Sequence, residues 1–89
     1  MIERKLTVRN RLGLHARPSA LLAKTAGQFR SSLTLSHERR SVDAKSILGL
    51  MTMALPQGSE LTLTADGPDE AVAAESITEL FENRFGEAE

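Results

Sequence analysis

Along the chain the spacing of apolar residues switches between two and three-to-four, and each switch marks an element. Ile2, Leu6 and Val8 alternate with Glu3, Lys5, Thr7 and Arg9, which predicts a half-buried strand over residues 2–9 interrupted once by Arg4. Beyond Gly13, the residues Ala16, Ala20, Leu22, Ala23, Ala26 and Phe29 fall on one helical face, with Gly27 as the stop. Leu33 and Leu35, then Val42 and Ala44 across the polar run His37-Glu38-Arg39-Arg40, read as a hairpin with His37 in its turn. Ile47, Leu48, Leu50, Met51, Met53, Ala54 and Leu55 are too densely apolar for a surface strand, and Pro56 and Gly58 follow. A short helix with more apolar surface than one face can bury is the expectation there.

Leu61, Leu63 and Ala65 form a further alternating strand. Gly67-Pro68-Asp69-Glu70 then places proline and acids where a first helical turn favours them. From there Ala73, Ala74, Ile77, Leu80, Phe81 and Phe85 make one apolar stripe, so the last helix is expected to continue to about Gly86. The order βαββαβα implies an α+β, two-layer open-faced sandwich: three helices on one face of a four-stranded antiparallel sheet. Residues 1–89 fit a single small domain with one core, and no repeat or linker divides them.

Composition narrows the functions. Eleven basic and twelve acidic residues leave a net charge of −1, and there is no Trp or Tyr, so neither the charge nor the stacking platforms of a nucleic-acid binder are present. Without cysteine there is no disulfide, thiolate metal site or cysteine nucleophile. No apolar run approaches the roughly 20 residues that span a bilayer, so no membrane insertion is expected. A cytoplasmic protein is the simplest expectation.

Candidate chemistry concentrates in Gly13-Leu14-His15-Ala16-Arg17-Pro18-Ser19, where a strand gives way to a helix. A helix start carries partial positive charge and unpaired N–H groups, and it favours acids or a Ser, Thr, Asp or Asn cap. Here it holds His15 and Arg17 instead. That pattern makes sense if an anion visits, held by the N–H groups of Ala16 and Arg17, by the helix dipole and by the planar guanidinium of Arg17. Phosphate fits best, with a ring nitrogen of His15 placed to attack phosphorus. Pro18 lacks an N–H that would be an orphan in the first turn, and its fixed φ helps to start the helix.

Gly-Leu-His-Ala-Arg-Pro-Ser, read with Lys45-Ser46-Ile47-Leu48-Gly49-Leu50-Met51 and with the segment from Gly58 to Glu70, resembles the HPr family of the phosphoenolpyruvate-dependent phosphotransferase system. The resemblance covers almost the whole chain. It implies that His15 is phosphorylated on Nδ1 and that Arg17 supports the phosphoryl group. It implies phosphorylated Enzyme I as donor and IIA domains, of permeases or regulatory proteins, as acceptors. Ser46 matches a serine that an HPr kinase/phosphorylase modifies in many members, giving a regulatory form linked to carbon catabolite regulation. Where some sugar-system relatives are basic, this chain has Gly27 and Gly49, while Lys24 remains. Its ending, Phe81-Glu82-Asn83-Arg84-Phe85-Gly86-Glu87, is similar to nitrogen-related paralogues, so sugar and nitrogen pathways both stay open.

Ser46 also reads as an ordinary N-cap worth about 1 kcal/mol, and the stem of Arg17 also suits a merely structural cover of apolar surface. His37 is assigned no role. Ala20, Lys24, Ile47, Leu48 and Met51 are the expected partner surface. The expectation is a monomeric carrier with no cofactor and no metal, a substrate of other enzymes that does not turn over alone. Two alternatives stand beside it: a histidine phosphatase, which would need a general acid and a pocket, and a regulatory binding module controlled through Ser46.

Overall fold

The computed structural model describes residues 1–88. Its elements are β1 (Ile2–Thr7), α1 (Ala16–Ala26), β2 (Ser32–His37), β3 (Arg40–Asp43), α2 (Ile47–Met53), β4 (Glu60–Asp66) and α3 (Glu70–Glu82), followed by a 3-10 turn at Arg84–Gly86. The strands form one antiparallel sheet in the order β1-β4-β2-β3. In its register Leu6 faces Leu61, Leu35 faces Leu63 and Leu33 faces Ala65, which lines up the apolar alternation of three strands on one side.

Against that side lie Leu22 and Ala26 of α1, Leu50 of α2, and Ala73, Ala74, Ile77 and Phe81 of α3, all buried. Helix α3 packs on β1 and β4, whereas α1 bridges α2 and α3. Leu63 sits fully buried in β4, between β1 and β2; cutting such a leucine back to alanine costs about 2–5 kcal/mol. The fold class and element order read from the sequence hold.

Several boundaries move, each for a local reason. Strand β1 ends at Thr7 rather than at residue 9, although Val8 continues the pairing irregularly, donating to the Ser59 carbonyl and accepting from Gly58. Phe29 lies beyond the end of α1, half-buried, because the chain turns at Gly27 and Gln28. Helix α3 stops at Glu82: Arg84 and Phe85 take φ near +54° and +55°, and Phe85 returns to the core through that turn to meet Phe81 edge-on at 4.9 Å. His37 is the last residue of β2 and not part of the turn, and its Nδ1 is 2.9 Å from the Glu60 carbonyl oxygen.

One polar cluster ties the start of α3 to the loop before β2. The Asp69 carboxylate does not cap its own helix. It accepts from the N–H groups of Arg30 and Ser31, at 3.0 and 2.9 Å, and from the Ser31 hydroxyl. The Ser31 hydroxyl, followed by the Arg30 N–H, holds the Asp69 carboxyl down at about 2. Gly67, at φ +155°, lets the chain pass so close to Ser31 that an added Cβ would lie 2.6 Å from its Cα.

Candidate functional site

The loop from β1 to α1 is fixed by backbone bonds before any site residue is reached. The Gly13 N–H donates to the Asn10 carbonyl at 3.1 Å, and the Leu14 N–H donates to the Leu55 carbonyl just beyond α2 at 2.8 Å. Gly13 has φ +73°, and a Cβ there would overlap the Leu55 carbonyl oxygen, so only glycine allows this approach. The chain is thereby turned and pinned, and the next residue, His15, arrives as the N-cap of α1 in an extended conformation, φ −82° and ψ −170°.

That helix start lacks both of its usual satisfactions. No side chain caps it, and its first turn has no acid. The carbonyl of His15 accepts from Ser19, and the Ser19 hydroxyl reaches the Leu14 carbonyl at 3.3 Å. The N–H groups of Ala16 and Arg17 belong to the first turn, where no helical acceptor exists, and Pro18 has no N–H to offer. Arg17 is exposed and lines a shallow depression together with Arg11, Leu12 and Glu87.

The imidazole of His15 is about one-third exposed, and its Nε2 lies 3.0 Å from Oε2 of Glu87, whose side chain is only 15% exposed. The other oxygen of Glu87 accepts from the Asn10 side-chain amide at 2.8 Å, and the same amide nitrogen donates to the Gly13 carbonyl at 2.6 Å. Sequence reasoning placed only positive charge at this helix start; the structure adds a carboxylate. Asn10 carries a faint signal, a polar residue just past an alternating strand, and it is fully buried. Glu87, 72 positions from His15, carries none.

On the other side of His15 a shallow apolar groove is lined by Leu12, Leu14, Met51 and Leu55, among others. The expected partner residues Ala20 and Lys24 of α1 and Ile47, Leu48 and Met51 of α2 are all exposed, and the two helices pack together. Leu48 is 78% exposed, too much for a core residue on so short a helix. Leu12, at 72%, adds an exposed apolar side chain beside the histidine that the sequence reading did not include. Ser46 is the N-cap of α2 and accepts from the Gly49 N–H at 3.1 Å, while Lys45 turns back to the Phe29 carbonyl at 2.8 Å.

Chemically, a ring nitrogen stands at a helix start whose first N–H groups have no acceptor among the described residues, with Arg17 exposed in the same first turn, on an open surface with apolar flanks. Such a surface suits receiving a phosphoryl group from another protein better than enclosing a small substrate. The chain matches the family model for the PTS HPr component phosphorylation site over residues 2–83. It is 51% identical to the phosphocarrier protein HPr of Xylella fastidiosa over 87 residues, 98% of each chain. It is 51% identical to that of Cupriavidus necator over the full length of both. The crystal structure of an HPr from Thermoanaerobacter tengcongensis superposes with a TM-score of 0.96 at 39% identity, covering all of both chains. The loop that delivers a histidine to an uncapped helix start, on this four-stranded sandwich, therefore belongs to a member of the HPr family, the phosphocarriers of the phosphotransferase system.

Proposed function

We propose that His15 is the residue that carries the phosphoryl group, on Nδ1, and that Arg17 and the N–H groups of Ala16 and Arg17 hold its oxygens. The observation that carries this reading is the uncapped start of α1, where the N-cap is an imidazole about one-third exposed and the donors beside it have no acceptor among the described residues. Family membership supplies the partners, Enzyme I and IIA proteins. Phosphoryl transfer asks mainly for positioning and charge stabilisation, and the docked partner completes both around His15. The partner surface is the exposed set Ala20, Lys24, Ile47, Leu48 and Met51. The protein works as a monomer, in the cytoplasm, where its family's phosphoenolpyruvate-driven chemistry belongs.

Ser46 is the site through which a kinase would regulate the carrier. Its hydroxyl already caps α2, and a phosphate there would add about −1.5 to −2 charges next to Ile47 and Leu48, opposing an anionic partner. Mixing the protein with Enzyme I and phosphoenolpyruvate and reading the intact mass tests the carrier reading. One acid-labile phosphoryl group on the wild type, absent from His15→Ala, is the expected result. An unmodified wild type in the presence of its cognate Enzyme I overturns it.

A further inference from the structure

Glu87 and Asn10 have no place in the site as the sequence presents it, yet they contact its central residue. A carboxylate can only accept, so the 3.0 Å contact between Glu87 and His15 requires the imidazole to carry a proton on Nε2. The other oxygen of Glu87 and the Gly13 carbonyl are both acceptors, which fixes the Asn10 amide with its nitrogen toward them. The Asn10 side-chain oxygen is then buried, with no hydrogen-bond partner among the described residues. The fully buried amide nitrogen thus grips both the loop before His15 and the carboxylate behind it.

We propose that Glu87, held by the buried amide of Asn10, is a positioning residue for His15: it accepts the hydrogen bond from Nε2–H and so presents Nδ1 with its lone pair free to receive the phosphoryl group. This rests on the reading of His15 as phosphoacceptor through Nδ1. In the transfer step the Nδ1 lone pair forms the bond to phosphorus. The bond from phosphorus to the donor atom of phosphorylated Enzyme I breaks, and its electron pair returns to that atom. The Nε2 proton stays where it is. The ring becomes positive as the Nδ1–P bond forms, and the Glu87 carboxylate lies against the charge that develops.

The sharpest test is Glu87→Gln. The Asn10 N–H still demands an acceptor, so the new amide turns its oxygen to Asn10 and its NH2 to the imidazole. An NH2 donating to Nε2 moves the ring proton to Nδ1 and blocks the nucleophile. Long-range 1H–15N spectra of the uncharged ring should show the proton on Nε2 in the wild type and on Nδ1 in Glu87→Gln. Phosphoryl acceptance from Enzyme I should fall at least about tenfold, as wrong tautomers do in other histidine sites. Glu87→Ala, which removes the side chain without imposing the wrong proton, should lose less than the glutamine variant. An unchanged tautomer in Glu87→Gln, or acceptance within twofold of wild type, overturns the proposal while leaving the carrier reading intact. A wild type that Enzyme I never phosphorylates overturns both.

Discussion

Two helices start within this small fold with opposite solutions to the same problem. At α2 the N-cap is Ser46, whose own oxygen takes the Gly49 N–H, so the start is closed. At α1 the N-cap is His15, whose side chain makes no capping hydrogen bond, and the first turn holds no acid. The closed start is worth about 1 kcal/mol to the protein; the open one forgoes a similar stabilisation. The difference teaches that the proposed anion site is set apart by the missing cap and not by the dipole, which both helices possess.

Closing the open start should have the largest effect. In His15→Ser a hydroxyl caps α1, phosphoryl acceptance from Enzyme I is expected to vanish, and the melting temperature is expected to rise; a fall in melting temperature would break the comparison. Arg17→Ala keeps the start open but removes the guanidinium. Acceptance should drop about tenfold or more, the scale of a charge-assisted hydrogen bond, in a rapid-quench phosphorylation assay. Opening the closed start is the converse change. Ser46→Ala should cost about 1 kcal/mol, a loss of about 4–8 °C in melting temperature by calorimetry, with acceptance at His15 within about twofold of wild type.

The smallest expected effect concerns the third start, that of α3, whose N-cap Asp69 points its carboxylate at Ser31 and Arg30. Its carboxyl is lowered from 3.8 to about 2, so the stabilisation is complete above about 3.8 and fades as the pH falls toward 2. Asp69→Asn should flatten that part of the acid-unfolding curve, and an unchanged curve would remove Asp69 as its cause.

How far the sequence could be read follows the same division. The strands and the helix faces were legible because alternation and three-to-four spacing report burial directly, as at Leu61, Leu63 and Ala65 or Ala73, Ala74 and Ile77. The apolar excess around Leu48 was legible for the same reason. Helix ends were less so: Phe85 keeps the helical spacing of its stripe, and nothing local reveals that it reaches the core from a turn with positive φ. Local chemistry exposed His15 and Arg17, because both residue types contradict what a helix start prefers. Glu87 was out of reach, since its contact with His15 depends on where the 3-10 turn sends the chain. Asn10 was visible only as a polar residue whose burial no spacing rule announces.

The position of β4 in the sheet has a consequence in time. It lies between β1 and β2, so before it joins, the only strand pairing available is the short hairpin of β2 and β3. Strand β1 must wait for a partner from the far half of the chain, with Ile2 opposite Ala65. Closure of that long loop therefore sets the pace, and folding should fall between the rates of helical bundles and all-β domains. The ties of Leu14 to Leu55 and of Val8 to Ser59 also join residues more than 40 positions apart, so the open helix start is expected to take shape late in folding.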